Sequence, residues 1–375
     1  QTGELYPAVL RSLKKNVGKA LKQAFFTFAK NQTTAKPEHY YSLGRRAMVK
    51  AVEEADKGLS DVADSFSFLL QVTPVNAEAA WHECRRCRFE VIPKFYYRPL
   101  AVEPGVLKRR LFDIRIERIE DPTLAEMFRQ RQDELDRKIT MMTDIGTPRF
   151  VLGSQQVFGG VESSLVELAK QLLFTVASRS RDESNGGILS ASEFAKLAEN
   201  EIEYYRQQLP EFTAQVIVRD DMFSGLMCSD GDLLIGAQAK IPRRRAEALL
   251  QHEVGTHLLT YYNGQRQPLR IFADGLAGYD ELQEGLAILA EWASGHLTPR
   301  RLRQLAARVV AVEHLTGGAS YAECFDALIR LGVPRPRAFR VVLRVYRGGG
   351  LTKDAVYLRG LYGVLAHLRE GAALA

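Results

Sequence analysis

The chain has few cysteines and no long apolar run. Its four cysteines in 375 residues are too few for a disulfide framework. Two of them, Cys84 and Cys87, form a CxxC pair, for which two ordinary helix cysteines and a redox or metal function are the alternatives. No stretch approaches about 18 uninterrupted apolar residues, so the sequence predicts no transmembrane helix. The first 30 residues lack the apolar core and cleavage site of a signal peptide, and we expect a cytoplasmic protein.

The chain also lacks a strong net charge, but its charges are unevenly distributed. Lys and Arg number 51 against 45 Asp and Glu, which gives a formal charge of +6. Residues 300–375 hold 13 basic and 5 acidic residues, a local excess of +8, so the preceding part sums to −2. This basic quarter predicts an anionic partner: nucleic acid, a membrane surface or a carboxylate-bearing substrate. Its basic residues are dispersed and no nucleic-acid motif is present, so we expect a substrate and no nucleic acid.

Residues 8–30 have apolar side chains at helical spacing and a basic opposite face. An amphipathic helix packed on the domain and a membrane-surface helix are the two interpretations of this pattern. We favour the packed helix and predict no membrane partner.

Apolar spacing along the chain predicts an α+β fold, with many helices and few strands. Further helices are predicted at residues 38–58, 61–70, 122–143, 161–178 and 192–208, and through most of the chain after Pro242. Asp121 and Pro122 fit the N-cap and first position of one of them. Strands are predicted at residues 106–119, 149–152, 213–218 and 226–236, with a hairpin turn at 229–232. A β-rich segment broken by two prolines separates a helical N-terminal region, residues 1–93, from a second domain, residues 94–375.

The segment Gln251–His257, with the sequence QHEVGTH, carries the strongest chemical signal. It lies in a predicted helix of about 20 residues and places His252 and His257 five positions apart. In the familiar HExxH zinc motif the histidines are four positions apart and share one helical face. Two histidines five positions apart in a regular helix would point about 140° away from each other around the helix axis. A π-bulge restores the shared face, and Gly255 between the histidines tolerates such a distortion. The spacing therefore predicts a bulged HExxxH helix that carries two metal ligands.

A third ligand is predicted in the segment Asp280–Ala287, with the sequence DELQEGLA. Asp280 fits the N-cap of a helix, with Gln283 at the capping-box position. Glu284 then lies in the first two turns, and Gly285 leaves space for a close helix or a metal. Catalytic zinc sites take three protein ligands and keep a fourth position open. We therefore expect Glu284 and the two histidines to bind one Zn²⁺ ion per chain.

Glu253 follows the first histidine and is the predicted catalytic residue. Zinc acidifies a water and polarises a scissile carbonyl, and Glu253 would accept the proton and pass it to the leaving amine. The hairpin upstream offers a strand edge that can hold an extended peptide. Two histidines satisfied within a core, and a non-enzymatic regulator with a structural metal site, are the alternatives. The ligand set with Glu253 favours a zinc peptidase, because structural sites usually close the fourth position.

Two motifs carry a family resemblance: HEVGTHLLTYYNG at residues 252–264 and GLAGYDELQEGLA at residues 275–287. With them the chain resembles the QEGLA-motif family, the flavohemoglobin expression-modulating proteins of bacteria, which is related to the microtubule-associated tyrosine carboxypeptidases. Further similar segments lie at residues 147–159, 225–236 and 347–360. The resemblance runs from about residue 95 to residue 361.

The resemblance implies a mostly helical, zincin-like metallopeptidase domain over residues 94–375, with a small β-sheet beside the bulged helix. It implies a zinc carboxypeptidase that prefers a C-terminal Tyr or Phe in a peptide or protein substrate. It also implies His252, His257 and Glu284 as the zinc ligands and Glu253 as the catalyst.

A carboxypeptidase must bind the terminal carboxylate of its substrate near the metal. Arg does so through a planar pair of donors and Lys as a point charge. The candidates in one basic segment are Arg347, Lys353 and Arg359. Arg266 and Arg270, which flank the loop between the metal motifs, are second candidates. Tyr357 is the predicted donor to the oxyanion of the tetrahedral intermediate.

Overall fold

The structure is a computed structural model that describes residues 6–34, 37, 40, 50–89, 93–176, 186–222 and 225–371. These residues form a mainly helical fold with two small sheets, which confirms the α+β prediction at this level. In chain order the helices are α1 (Pro7–Gln32), α2 (Lys50–Ala63), α3 (Phe68–Gln71), α4 (Ala77–Arg86), α5 (Pro104–Phe112), α6 (Pro122–Thr143), α7 (Arg149–Phe158), α8 (Ser163–Thr175), α9 (Ala191–Gln208), α10 (Ala246–His252), α11 (Leu259–Gln265), α12 (Ile271–Asp274), α13 (Asp280–Ala293), α14 (Pro299–Thr316), α15 (Tyr321–Arg330), α16 (Arg335–Tyr346) and α17 (Val356–Arg369). A π-helix joins α10 to α11, and the short 3-10 helices are Ile116–Arg118, Arg243–Arg245, Arg347–Gly349 and Thr352–Ala355.

Some of the predicted segments lie partly outside the described residues. They include the helix at residues 38–58, in most of its part before Lys50, and the β-rich segment, in some of its residues before Pro93.

The helix predicted at residues 122–143 is confirmed as α6, together with its first turn. The Asp121 carboxylate accepts hydrogen bonds from the backbone N–H groups of Thr123 and Leu124, and Pro122 takes the first helical position. A cap of this kind contributes about 1 kcal/mol to helix stability.

The strands form one two-stranded and one three-stranded sheet among the described residues. They are β1 (Ile188–Leu189), β2 (Val216–Arg219), β3 (Leu226–Ser229), β4 (Asp232–Gly236) and β5 (Ile241–Pro242). β1 pairs with β5 in antiparallel orientation. In the larger sheet β4 is central, parallel to β2 and antiparallel to β3. β3 is therefore an edge strand, and only one of its two sides is paired with a described strand.

β3 and β4 form the hairpin that the sequence predicts. Ser229 pairs with Asp232, and the two residues between them, Asp230 and Gly231, have φ angles of 54° and 82°. Two central residues with positive φ are the mark of a type I′ turn, for which Asp-Gly is a favoured sequence. The turn chemistry alone therefore sets the position of this hairpin.

Two predicted strands, at residues 106–119 and 149–152, are wrong, because both segments are mainly helical. The first contains α5, where Leu107 and Leu111 are fully buried on one side of the helix. The second begins α7, in which every fourth residue from Phe150 to Phe158 is buried. The buried positions repeat every four residues in both segments, so helical packing and not strand alternation places the apolar side chains.

Two hydrophobic cores hold the fold together. The larger core is built from α2 to α8 and from α12 to α17. The smaller core contains side chains of α9, α10, α11, the π-helix and the strands β1, β4 and β5. The larger core joins elements from both sides of residue 93, and the domain boundary at that residue stays a prediction. Helix α10 lies against α13, so the two cores meet between these helices.

Helix α1 is confirmed, but its predicted packing on the domain is wrong. Large apolar side chains at helical spacing along it are 48–63% exposed. They are Val9, Leu10, Leu13, Val17, Leu21, Phe25 and Phe28. Within the described ranges, no helix combines the length and the apolar character that crossing a bilayer requires.

Helices α13 and α17 approach each other through two glycines. A Cβ atom added to Gly285 would lie 2.4 Å from the carbonyl carbon of Gly360. One added to Gly360 would lie 1.9 Å from the carbonyl oxygen of Glu281. Both contacts are with backbone atoms, which cannot move aside as a flexible side chain can. The close helix that Gly285 predicts is therefore present.

We expect Gly360→Ala to lower the free energy of unfolding by about 2–3 kcal/mol, because the two helices must separate to admit a methyl group. Chemical denaturation followed by circular dichroism measures this change. Gly363→Ala is the matched control on the same helix, since its added Cβ would have no atom within 4 Å. Alanine is the better helix residue, so we expect the control to gain about 0.5–1 kcal/mol. Equal stability of the two variants would contradict the close approach.

Candidate metal centre

The two histidines are brought onto one face by a π-helix. Glu253–Leu258 is π-helical, between the regular turns of α10 and α11. The Thr256 hydroxyl donates to the Gln251 carbonyl oxygen five positions back, at 2.9 Å. The rings of His252 and His257 have centroids 4.9 Å apart at an interplanar angle of 78°. The structure therefore contains the distortion that the five-position spacing predicts.

Glu284 on α13 completes a group of three ligand-type side chains. Its Oε2 atom lies 3.5 Å from Nε2 of His252 and 3.6 Å from Nε2 of His257. All three atoms lie within 4.8 Å of one another, and this is the one such group found among the described residues. The group could hold a metal ion.

The environment of Glu284 fits a metal. Its Oε2 atom is buried and has no hydrogen-bond partner in the described structure, which is costly for a carboxylate. Burial alone would raise the pKa of this carboxyl, but the Lys353 charge and the neighbouring imidazoles of His252 and His257 hold it well below its usual value. Glu284 is therefore an anion with one oxygen aimed at two imidazole nitrogens, and a cation placed between them would satisfy all three atoms.

Glu291, two turns after Glu284 on α13, fixes the first histidine. Its Oε1 atom lies 3.0 Å from Nδ1 of His252, and the side chain is fully buried. Arg301 and Arg245 donate to the two oxygens of Glu291 at 3.0 and 2.8 Å. Burial would raise the pKa of Glu291, but the Arg301 charge and these bonds lower it. The anion holds a proton on Nδ1, which leaves Nε2 to face the metal position.

Lys353 holds the other oxygen of Glu284 and also pairs with Asp280. The Lys353 ammonium donates to Oε1 of Glu284 at 3.1 Å and to Oδ1 of Asp280 at 2.5 Å. Asp280 is not the N-cap of α13: that position is Tyr279, and no side chain caps the helix. The N-cap prediction and its capping box are wrong, because the Asp280 carboxylate pairs with the lysine instead. Lys353, a predicted substrate-binding residue, is buried here and oriented toward Glu284.

Glu253 lies beside the edge strand β3. Glu253 is 9% exposed, and its side chain lines a cavity. The Cys228 thiol contacts the Glu253 carbonyl oxygen at 3.3 Å and its Oε2 atom at 3.4 Å. Burial, and then the Glu253 charge, raises the pKa of Cys228 well above its usual value, so the thiol stays protonated and can donate. Cys228 was not among the predicted site residues, since nothing in the sequence pairs it with Glu253.

The three ligand-type residues and Glu253 all line a cavity of about 520 Å³. Residues 225–231, which include all of β3, form one wall of it. Tyr357 and Arg347 are buried and line the same cavity. The Tyr357 ring stacks over His252 with a centroid distance of 6.4 Å and an interplanar angle of 18°. These predicted residues are therefore brought together with the metal group.

Arg359, the third predicted substrate-binding residue, lies apart from Arg347 and Lys353. Its guanidinium donates to Oε2 of Glu281 at 2.6 Å and to the carbonyl oxygens of Gly160 and Phe158. It does not line the cavity. The second candidates, Arg266 and Arg270, are exposed and also lie outside its lining.

The CxxC pair is separate from this centre. Cys84 is buried on α4 and Cys87 follows the end of that helix, and neither takes part in a disulfide. Burial raises the pKa of Cys84 to about 11. Neither cysteine belongs to the metal-type group found in the described residues.

Sequence reasoning missed Glu291, Arg308 and Cys228. Glu291 follows Glu284 by seven positions, so both lie on one face of α13, and this spacing is a signal that could have found it. Arg308 lines the cavity from α14. Its place depends on the packing of distant helices, and its sequence neighbourhood carries no motif.

Metal affinity should rise with pH. Burial alone would lower the pKa of His252 in the metal-free protein, but its interactions with the Glu284 and Glu291 carboxylates raise it to about 9. Below that pH a metal must displace a proton, so we expect affinity to increase roughly tenfold per pH unit from about pH 6 to pH 8 and to level off above pH 9. Competition with a chelating dye measures it. A constant affinity over this range would contradict the raised pKa.

Glu291→Gln should weaken metal binding by about 10–100-fold, because a neutral amide is a weaker acceptor for the Nδ1 proton of His252 than the carboxylate is. The same titration measures the loss. Glu281→Gln makes the same chemical change on the same helix, away from the ligands, and should bind metal as the unmodified protein does. Equal affinities for the two variants would show that Glu291 does not support the site.

Comparison with known protein families gives a match over most of the chain. A sequence model described as microtubule-associated tyrosine carboxypeptidase matches residues 82–374, which includes all three ligand-type residues and Glu253. No curated protein and no solved structure gives a match to the chain. The matched span agrees with the resemblance that the two motifs carry. The chain belongs to the microtubule-associated tyrosine carboxypeptidase family.

Proposed function

We propose that the protein is a zinc-dependent carboxypeptidase that releases a C-terminal Tyr or Phe from a peptide or protein. The observation that carries the proposal is the meeting of His252, His257 and Glu284 beside Glu253 in one cavity. The family's name supports both the reaction and the terminal tyrosine. A zincin-like catalytic domain with a bulged HExxxH helix belongs to the same proposal.

Zinc is proposed because of the donor set and its spacing. Two imidazole nitrogens and one carboxylate oxygen are a common ligand set of catalytic zinc. Bonds of about 2.0–2.2 Å at tetrahedral angles put ligand atoms roughly 3.3–3.6 Å apart. The Glu284 oxygen lies 3.5 and 3.6 Å from the two histidine nitrogens, which fits this geometry. Three protein ligands leave a fourth position for substrate or water.

A bound zinc ion would supply Lewis acidity, which polarises the scissile carbonyl and makes water easier to deprotonate. Glu253 accepts the proton of the attacking water and returns it to the leaving amine. The Cys228 thiol restrains Oε2 of Glu253, so the carboxylate is held in one orientation toward the cavity. Cys228 acts as a positioning residue for Glu253.

Tyr357 stabilises the oxyanion of the tetrahedral intermediate. Burial, and then the charge of Glu284, raises its pKa above the ordinary value for tyrosine. The phenol therefore keeps its proton at neutral pH and can donate it in a hydrogen bond. Its ring lies over His252, so the donor belongs to the same part of the cavity as the metal group.

The substrate peptide binds along β3. Among the described strands this one pairs with β4 alone, and residues 225–231 line the cavity. An extended peptide can add to such an edge through main-chain hydrogen bonds. Cys228, on the same strand, contacts Glu253, so a peptide on this edge passes beside the base.

The preference for an aromatic terminal residue is supported by the apolar part of the wall. Leu69, Met222 and Met227 line the cavity together with the polar residues. Methionine adapts its shape and makes favourable contacts with aromatic rings. A Tyr or Phe side chain therefore has apolar surface to bury beside the metal group.

Glu253→Gln tests the proposal in one experiment. A peptide library with varied C-termini is incubated with zinc-loaded protein, and mass spectrometry reads the products. We expect loss of a single C-terminal Tyr or Phe, and a fall in rate of about 10²–10⁴-fold in the variant, whose zinc content stays at one per chain. The control, Glu247→Gln, alters an exposed carboxylate of α10 and should keep full activity.

Two results would count against the proposal. Unchanged activity in Glu253→Gln would remove the assigned base. A zinc-loaded unmodified protein that cleaves no library peptide would favour the non-enzymatic regulator.

A further inference from the structure

A cluster of arginines lines the cavity around one buried carboxylate. Arg344 on α16 pairs with Asp354 through Nε and Nη2, at 2.8–3.2 Å. Arg308 on α14 and Arg347 after α16 line the same cavity. Asp354 therefore faces three guanidinium groups, and its full hydrogen bonds go to only one of them.

The other two guanidiniums, called here the arginine pair (Arg308 and Arg347), are buried with donors left over. Arg308 is 5% and Arg347 is 7% exposed. Nε and Nη1 of Arg308 and Nε of Arg347 have no hydrogen-bond partner in the described structure. The nearest Asp354 oxygen is 3.9 Å from Arg308, too long for a hydrogen bond. Arg347 donates once, to the Thr73 hydroxyl at 3.3 Å.

Unpaired buried cations are unfavourable in any protein. Burial, and then the neighbouring charge of Arg344, lowers the pKa of both members of the arginine pair to about 10. Both side chains therefore remain charged at neutral pH, in a place where positive charge is already in excess. An anion that enters the cavity would satisfy the unused donors and offset this charge.

The arginine pair lies close to the metal group. The centre of the Tyr357 ring is 6.4 Å from the centre of the His252 ring and 4.7 Å from the guanidinium carbon of Arg308. Tyr357 therefore neighbours both groups, and the arginine pair lines the same cavity as the metal group. In a substrate of a carboxypeptidase only one residue separates the scissile carbonyl from the terminal carboxylate, so both must be bound within one cavity.

We propose that the arginine pair binds the α-carboxylate of the substrate's C-terminal residue. The inference rests on the proposed function and names the group that selects a chain end. Of the residues predicted for this role, Lys353 is paired with Asp280 and Glu284, and Arg359 lies outside the cavity. Of the predicted residues Arg347 therefore remains. Arg308 joins it from α14, where the sequence predicted a helix but no site residue.

The arginine pair also explains how cleavage would be restricted to the last residue. A peptide that continues past the metal group, or that ends in an amide, leaves the guanidiniums without a carboxylate. Sites built to bind a polar group reject substrates that lack it, often by 10⁴-fold or more. We therefore expect exopeptidase and not endopeptidase activity.

The first test uses the unmodified zinc-loaded protein and two peptides that differ only at the end, a free C-terminal Tyr and its amide. We expect kcat/KM for the amide to be lower by about 10³-fold or more. Binding of N-acetyltyrosine and N-acetyltyrosinamide is measured in parallel by calorimetry, and we expect only the acid to bind. Equal cleavage of acid and amide, or equal binding, would overturn the proposal.

The second test assigns the residues. Arg308→Gln and Arg347→Gln should each raise KM for the acid peptide by about 30–1000-fold and shrink the acid-to-amide ratio. Arg308→Lys keeps the charge but loses the planar fork, and should recover only part of the affinity. The control is Arg330→Gln, a substitution at an exposed position of α15. It should leave KM for both peptides unchanged. Zinc content and thermal unfolding show whether each variant is folded.

Failure of this inference differs from failure of the proposed function. If no peptide is cleaved but N-acetyltyrosine binds and loses affinity in Arg308→Gln, the arginine pair stands and the peptidase does not. If peptides are cleaved and the acid-to-amide ratio is the same in Arg308→Gln, Arg347→Gln and the control, the peptidase stands and the arginine pair does not.

Discussion

The Glu284 carboxylate is the group on which the rest of the site depends. Its Oε1 atom accepts from Lys353, and its Oε2 atom faces the Nε2 atoms of His252 and His257. A buried carboxylate needs partners on both oxygens, so this side chain ties the π-helix, α13 and the segment before α17 to one arrangement. The adjacent Gly285 lets α17 approach, which brings Lys353 within reach. Packing and electrostatics therefore act on the same turn of one helix.

Around Glu284, the carboxylates of Glu291 and Asp280 follow one rule: each has a cationic partner. Glu291 is held by Arg245 and Arg301, and Asp280 is held by Lys353. Such pairs fix positions, because loss of either partner would leave an unpaired buried charge. The arginine pair departs from the rule, since its cations outnumber the one carboxylate beside them. The paired charges fix the positions of the site residues. The surplus positive charge of the arginine pair is where the carboxylate of the substrate would bind.

The features predictable from the sequence are local ones. The Asp121 cap, the hairpin turn at residues 229–232 and the spacing of His252 and His257 depend on a few neighbouring residues, and each appears in the structure. The two strands that proved helical lie where a short apolar pattern fits both periods, and tertiary packing decides between them. The pairing of Lys353 with Glu284 could not be predicted from the sequence, because the two residues are 69 positions apart. Proximity of that kind is set by how α13 and α17 cross.

The uneven charge of the sequence takes on a different meaning in the fold. Residues 300–375 carry the local excess of +8, but four of their basic side chains are buried: Arg303, Arg308, Arg347 and Lys353. A polyanion that lies along the surface, such as a nucleic acid, cannot reach guanidiniums that are nine-tenths buried. A peptide end that enters the cavity can reach them, because it presents a single carboxylate on a narrow chain. The positive charge on Arg308 and Arg347 is therefore better explained by an anionic group bound inside the molecule than by an anionic surface outside it.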